Sequence, residues 1–556
     1  MTAWKPPAAT KGDTSLIRTS LSHARRREGD CPTQNAVSAR PRLWARSYVK
    51  RVYAPLQNFV LRPFMDALDR IEHLGEDPAR AISELRRTDG TFGNPKTPPS
   101  HPGHVAWAVE AVMRYLGVRD ADEAERRMRG LPALHPVEVE WVWRSVSDNP
   151  DARGVRTYEQ TAWGRRYASA DGRVRELRLF SLATAKEDRS HAEKGAAAGV
   201  LLNAPSDSPG GTVERVRVVD VGCGDGTTRT VLDWDRAQAL RAYQEFTAPA
   251  LADAVAATGR IPGSNCVKCR ALAGCDDLAS VPGLLGAERP ARHWWPRRSL
   301  SASDLRLYLD CPAQYHLTRV LWLRSGTPES SAIRRGRAVD AWLNDRHRAV
   351  PHAPCGADGP PDPDHWAAGG IELTGAEARA GARMIAQHAK TCALRYLGPT
   401  DRPRVQQQVA CHDPDLDVVV IAVPDLLYPE NGGWIWRETK TAARRRGTSS
   451  LLQTYPQLAL GVLLLANGVL GGESARSRVE LEILHPDGAV LEEIDPSLPE
   501  VVDDAHAAVS GLVARWHADV HLPAVPGKAC GSCEAAPWCA PGQAHLAAAT
   551  SDEADR

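Results

Sequence analysis

The chain has 556 residues, 43% hydrophobic and 25% charged, enough apolar material for roughly two to four separately packed domains. Its 69 Lys and Arg nearly cancel its 68 Asp and Glu, so no global field draws it onto a polyanion and any nucleic-acid surface must be a local patch. The start, Met1-Thr-Ala-Trp-Lys-Pro-Pro, has no apolar secretory core, and the longest greasy run, Leu458 to Leu465, is too short to span a bilayer. These features predict a cytoplasmic protein without a membrane partner. In that reducing setting twelve cysteines read as thiolate ligands rather than as a disulfide framework.

Taken in order, the first half opens with Arg18-Thr-Ser-Leu-Ser and a lone Cys31-Pro32-Thr33-Gln34. Tyr167 to Arg175 then reads as two alternating strands joined at an Asp-Gly turn. Gly199-Val-Leu-Leu comes next, then a strand from Glu214 to Val221, and finally Cys266-x2-Cys269-x5-Cys275. A stretch rich in Pro, Arg and Trp, residues 288–298, reads as a linker. The same series then repeats: Arg298-Ser-Leu-Ser-Ala-Ser leads into Cys311-Pro312-Ala313-Gln314, Tyr428 to Trp436 forms a hairpin with an Asn-Gly turn, Gly461-Val-Leu-Leu comes after it, and a strand begins at Ser477. Cys530-x2-Cys533-x5-Cys539 closes the series. Such long-range order in one sequence indicates a duplication. The expected organisation is a first domain over 1–287, the linker, a second domain over 299–545 and a disordered tail over 546–556.

The second half carries charges that the first lacks. Asp417 to Ala422 is an apolar β-branched run that reads as a buried strand and delivers Val423-Pro424-Asp425 at its end. The hairpin returns Trp436-Arg437-Glu438-Thr439-Lys440. Glu438 and Lys440, two apart on a strand, share a face, and pairing with the preceding strand brings Asp425 beside them. Two carboxylates so placed suit Mg2+ or Mn2+, and Lys440 is placed to orient a water or to offset charge on a phosphate. Aligning Tyr167 with Tyr428 without gaps sets Gly164, Leu177 and Leu179 against Asp425, Glu438 and Lys440, so the first half is expected to be catalytically silent. Each set of four cysteines admits Zn2+ or an iron-sulfur cluster.

With those residues in view, Arg298 to Cys539 resembles the RecB/AddB-type iron-sulfur branch of the PD-(D/E)XK nuclease superfamily, including the exonucleases of CRISPR adaptation. The resemblance implies an α/β fold of two tandem restriction-endonuclease-like domains, each a mixed central sheet flanked by helices and closed by a four-Cys cluster. It implies a [4Fe-4S] cluster on Cys311, Cys530, Cys533 and Cys539, with a possible second on Cys31, Cys266, Cys269 and Cys275 and Zn2+ as the alternative. Asp425 and Glu438 become metal ligands, Lys440 the catalytic lysine, and Gln457 a residue that helps place DNA or the lysine. Two departures stand out: the family's helix histidine is replaced by Asp340, itself a good hard-metal ligand, and the tyrosine four residues after Gln457 is replaced by Gly461. The implied activity is hydrolysis of DNA, at ends or in single strands and as an exonuclease rather than an endonuclease, in repair or defence. A separate helicase or another repair or defence protein is the implied partner, since no Gly-x4-Gly-Lys-Ser/Thr segment occurs in this chain.

Two other readings remain. A site disabled by the Asp340 and Gly461 departures would leave an iron-sulfur DNA-binding adaptor. Val219-Asp220-Val221-Gly222-Cys223-Gly224-Asp225-Gly226 looks like the first motif of S-adenosylmethionine-dependent methyltransferases, a strand entering a Gly-rich turn. Against it, the chain reaches Cys266 after essentially one helix, and the repeat makes the same residues a hairpin turn equivalent to His485-Pro-Asp-Gly. Arg334, Arg335 and Arg337, with Arg444 to Arg446, offer a local phosphate-binding rim or a solvated face. Cys355, Cys392 and Cys411 lack ligand spacing and read as ordinary thiols.

Overall fold

The computed structural model describes residues 4–25, 27–47, 52–148, 155–186, 188–205, 212–289, 295–326, 329–356, 359–398, 401–442 and 450–554. In the first half the elements that matter are β1 (Leu16–Ser20), α1 (Arg62–Glu72), α2 (Pro102–Met128), β2 (Leu134–Pro136), β3 (Val142–Asp148) and β4 (Val155–Thr161). They continue with β5 (Arg165–Ser169), β6 (Val174–Ser181), α3 (His191–Asn203), β7 (Arg215–Gly222) and β8 (Thr228–Asp235). The second half supplies β9 (Ala279–Ser280), β10 (Arg298–Leu300), α4 (Ser331–Arg348), α5 (Gly375–His388), β11 (Arg404–Val405), β12 (Val409–Asp413), β13 (Val418–Ala422) and β14 (Leu426–Glu430). After these come β15 (Gly433–Thr441), α6 (Pro456–Ala466), β16 (Arg478–His485), β17 (Gly488–Ile494), α7 (Pro499–Ala518) and α8 (Ala540–Ala554).

Each half is built on a five-stranded mixed sheet, in the orders β2-β5-β6-β7-β8 and β11-β14-β15-β16-β17. Their pairing senses agree strand by strand: antiparallel, antiparallel, parallel, antiparallel. The smaller sheets agree too, because β1 runs parallel to β4 and β3 antiparallel to it, as β10 and β12 do about β13. β9 joins the second half's small sheet beside β12, and Leu284 and Leu285 enter the second half's core. Residues 279–287 thus pack with the second domain rather than the first. Of the expected linker, 290–294 lie outside the described residues. The linker's C-terminal end is anchored: Trp295 is buried and donates to Asp519 O at 2.9 Å, and Arg297 pairs with Asp417 at 2.6 Å.

Side-chain alternation along β15 decides the surroundings of each sheet face. Trp436, on the face shared with Glu438 and Lys440, packs with Val479 and Leu481 into the core roofed by the apolar α6 and by α7. Arg437 and Thr439 point to the other face, covered by α4 and α5, whose Val339, Leu343, Met384 and Ile385 cluster with Leu484 of β16. Covering both faces with helices is the standard way to bury a mixed sheet. At the chain end, residues 546–554 of the expected disordered tail are instead the continuation of α8, which carries the Ala547 to Ala549 run of high helix propensity, and 555–556 lie outside the described residues.

The Gly-rich segment of the methyltransferase-like reading joins β7 to β8, which pair antiparallel. It is a strand-turn-strand hairpin, without the strand-to-helix turn that a dinucleotide-type fold needs. Its glycines answer to packing, since a Cβ on Gly224 would lie 2.8 Å from the Ala183 Cα and one on Gly222 2.7 Å from the Ala183 carbonyl oxygen. Asp220 is buried and paired with Arg189.

Candidate active site and cysteine sites

The Asn431-Gly432 turn, with both residues at positive φ (50° and 87°), is the two-residue connection that matches the twist of an antiparallel pair. It closes β14 onto β15 in the register Leu426↔Arg437, Tyr428↔Ile435, Glu430↔Gly433. Continued one step, that register sets Asp425 across from Glu438. Asp425 Oδ2 accepts the Thr439 backbone N–H at 2.7 Å, which fixes the carboxylate at the strand mouth. Lys440 Nζ lies 3.2 Å from Glu438 Oε2 and 3.6 Å from Asp425 Oδ2. Glu438 is buried, and its other oxygen accepts from Trp436 Nε1 at 3.1 Å.

Asp340 arrives from α4. Gln406 Nε2 and Asn344 Nδ2 donate to its Oδ2 at 3.0 and 3.1 Å. Burial, and secondarily the charge of Asp425, raise its carboxyl to about 6; the same two causes raise Glu438 to about 7. Lys440 is held above its ordinary range because the charges of Asp425 and Glu438 outweigh burial. Three crowded carboxylates against one ammonium make a site that gains from a further cation. The donor set, oxygen only and partly solvent-accessible, fits Mg2+ or Mn2+. Gln457 sits half-buried in the first turn of α6 and, among the described residues, makes no hydrogen bond to this group.

Gly461 has a packing reason. It lies on the buried face of α6, and a Cβ there would be 3.2 Å from the Trp436 Cε2 and Nε1 atoms. Trp436 fills the space a larger residue at 461 would need, and the same indole holds Glu438. Arg335 and Arg337 are engaged with Glu377 and Glu329, and Arg334 donates to Glu372 O. Arg444 to Arg446 lie outside the described residues.

Among its described residues the first half lacks this constellation, and the register corrects one of its three correspondences. Leu177 pairs with Val218 and Leu179 with Asp220 on the parallel neighbour, as Glu438 pairs with Leu481 and Lys440 with Ile483. Leu177 and Leu179 therefore do occupy the places of Glu438 and Lys440. On the other side, however, Leu177 faces Arg166. The Ser169 to Val174 connection is longer than Asn431-Gly432, so β5 is shifted by two residues, and Arg166 rather than Gly164 stands where Asp425 stands. Leu177 and Leu179 are buried against Ala197, Ala198 and Leu201 of α3, filling with hydrocarbon the volume that the other half gives to charge.

Both cysteine quartets are brought together. Cys31, Cys266, Cys269 and Cys275 line one small cavity, and Cys311, Cys530, Cys533 and Cys539 line another. In each, a backbone N–H donates to the first thiol of the triplet at 3.4 Å, Gly263 to Cys266 and Gly527 to Cys530, and Val525 N adds one to Cys311. Cys31, near the chain start, is buried at the N-cap of the helix Pro32–Ser38. The first triplet packs against Ala410 and Val419 of the second half, so the halves share a seam there. Sequence spacing missed a third group: Cys355 and Cys392 meet His347 and His388, with ligand atoms all within 4.8 Å of one another. The signal was His388-x3-Cys392, with His388 the last residue of α5 and Cys392 just past the turn beyond it, but its partners lie across a fold contact that no local motif reveals.

No curated protein matches the chain. Among solved structures, one titled "Crystal structure of SSO0001" aligns at 18% identity over 25% of this chain and 60% of its own length, with a TM-score of 0.18. Residues 299–540, the half that assembles Asp340, Asp425, Glu438 and Lys440, match the family model of the PD-(D/E)XK nuclease superfamily.

Proposed function

We propose that the second half is a divalent-metal-dependent deoxyribonuclease acting on DNA ends or single strands in repair or defence, and that the first half is a duplicated, catalytically silent copy. The observation that carries this reading is the convergence of Asp425, Glu438 and Lys440 at the mouth of β15, with Asp340 near enough to feel the charges of Asp425 and Lys440, inside the region that matches the nuclease family model. Asp425, Glu438 and Asp340 would hold Mg2+ or Mn2+. When bound, such an ion stabilises negative charge on a phosphate and makes a nearby water more acidic. Thr439 N–H and Trp436 Nε1–H orient the two strand carboxylates, so little reorganisation is needed when substrate arrives. Lys440, about a third exposed, is placed to orient the attacking water or to offset charge on phosphorus. Gln457 is assigned to DNA or lysine placement by the family resemblance alone.

The Cys311 and Cys31 quartets are proposed [4Fe-4S] sites. The iron-sulfur assignment rests on the family resemblance, in which a lone Cys-Pro and a C-terminal Cys triplet hold the cluster, and Zn2+ is the alternative occupant of four thiolates. The N–H···S contacts are of the kind that tune an iron-sulfur potential. Each quartet ties the start of its half to its end, so cluster loss is expected to loosen that half. Exonuclease action and a separate helicase partner belong to the same reading. The test is Mn2+-dependent cleavage of end-labelled DNA by anaerobically purified wild type and Asp425→Asn. Cleavage by wild type alone supports the proposal; equal activity in both, or none in either, refutes it.

A further inference from the structure

We propose that His347, Cys355, His388 and Cys392 form a structural zinc site, separate from the carboxylate site and from both cysteine quartets. The side chains come from the last turn of α4, the segment after it, the last residue of α5 and the turn beyond. All four are buried, Cys392 and His388 completely. Their ligand atoms lie within 4.8 Å of one another, a spread that one ion with Zn–S and Zn–N bonds of about 2.3 and 2.0 Å can span. His347 Nε2 and His388 Nε2 face each other at 3.1 Å.

The outer contacts prepare the same atoms for a metal. His388 Nδ1 lies 2.8 and 3.0 Å from the two Glu482 oxygens, which assigns the proton to Nδ1 and leaves the Nε2 lone pair directed at His347 and the thiols. This carboxylate-histidine arrangement is the usual support of a zinc-bound imidazole. Cys355 N–H donates to Cys392 Sγ at 3.3 Å, orienting the second sulfur. Leu394 and Leu397 pack with the thiols, so the site is closed off from the surface, as structural zinc sites are. Two thiols and two imidazoles as the donor set select Zn2+ over the oxygen-seeking Mg2+ and Mn2+.

The site has mechanical consequences. His347 lies two helical turns beyond Asp340 on α4, so a bound ion would pin the helix that delivers Asp340. Glu482 also accepts from Thr439 Oγ1 at 3.0 Å, and Thr439 N–H holds Asp425. A continuous set of hydrogen bonds therefore joins the proposed ion to the strand that carries Glu438 and Lys440. The zinc assignment itself does not depend on the nuclease reading.

The test is zinc and iron analysis of anaerobically purified full-length protein, washed with EDTA, for wild type, Cys392→Ser and His388→Ala, together with zinc-edge X-ray absorption on wild type. The expected result is about one zinc per chain more in wild type than in either variant, with iron unchanged. The absorption spectrum is expected to contain both a sulfur and a nitrogen shell, at about 2.3 and 2.0 Å. Equal zinc in wild type and variants, a zinc-free wild type, a spectrum without a nitrogen shell, or a Cys355–Cys392 disulfide in the anaerobic protein would each overturn the proposal. The wild-type spectrum decides the matter even if the variants fail to fold.

Discussion

Lys440→Met removes one charge from the carboxylate cluster while keeping most of the side chain's volume. In the native protein the ammonium faces Glu438 at 3.2 Å and Asp425 at 3.6 Å, worth about 5 kcal/mol of Coulomb attraction to each at an effective dielectric of about 20. Solvent reaching the partly exposed ammonium reduces that figure. A cation beside a metal site also repels the metal, so its loss separates two effects. Single-turnover cleavage should fall by about 10²–10³-fold, the usual cost of one preorganised electrostatic group. Mn2+ affinity, measured by calorimetry without DNA, should stay unchanged or tighten. Glu438→Gln should differ in kind, losing both cleavage and Mn2+ affinity, because it removes a ligand. The reasoning fails if Lys440→Met cleaves within tenfold of wild type, or if its Mn2+ affinity collapses in parallel with its rate.

Gly461→Tyr, which places there the residue that the resemblance implies, should lower the melting temperature and cleavage together, because the ring has no room beside Trp436 and displaces the indole that holds Glu438; an unchanged melting profile would refute the packing account. With both quartets holding clusters as proposed, Cys533→Ser should lower the iron content by about one cluster, near half of the total, and leave the rest in place; unchanged iron would remove Cys533 from the ligand set. Asp417 is the acid-sensitive prediction. Its carboxyl is buried, which alone would raise it, but His412 and Arg297 hold it down at about 2. Since the folded value lies below the unfolded one, this stabilisation is present above about pH 4 and is lost as pH falls toward 2, amounting to about 1–3 kcal/mol. Asp417→Asn should therefore destabilise the protein at pH 7 and flatten the acid limb of a denaturation series; an unaltered limb would count against it.

The parts legible in the sequence were those encoded within one hairpin. Asp425, Glu438 and Lys440 were readable because strand alternation and an Asn-Gly turn fix their relation locally, and the register puts them where that alternation says. Leu177 and Leu179 were readable for the same reason. Gly164 was not, because the correspondence crosses a turn of different length, and a two-residue shift moves Arg166 into place without changing which face is buried. Trp436 explains Gly461 only once α6 is seen packed on β15. His347, Cys355, His388 and Cys392 stayed hidden because the contact joining their two helices is tertiary. The Gly-rich turn at Gly222 to Gly226 shows the converse: a motif with strong local character whose meaning depends on whether a helix or a strand comes next.

The most direct test of the central claim uses the full-length double variant Asp425→Asn/Glu438→Gln, which leaves the first half and all twelve cysteines untouched. Purified anaerobically alongside wild type, it should retain wild-type iron and show no Mn2+-dependent release of nucleotides from end-labelled DNA, whereas wild type cleaves. Cleavage by the double variant at the wild-type rate would contradict the assignment of the chemistry to the mouth of β15.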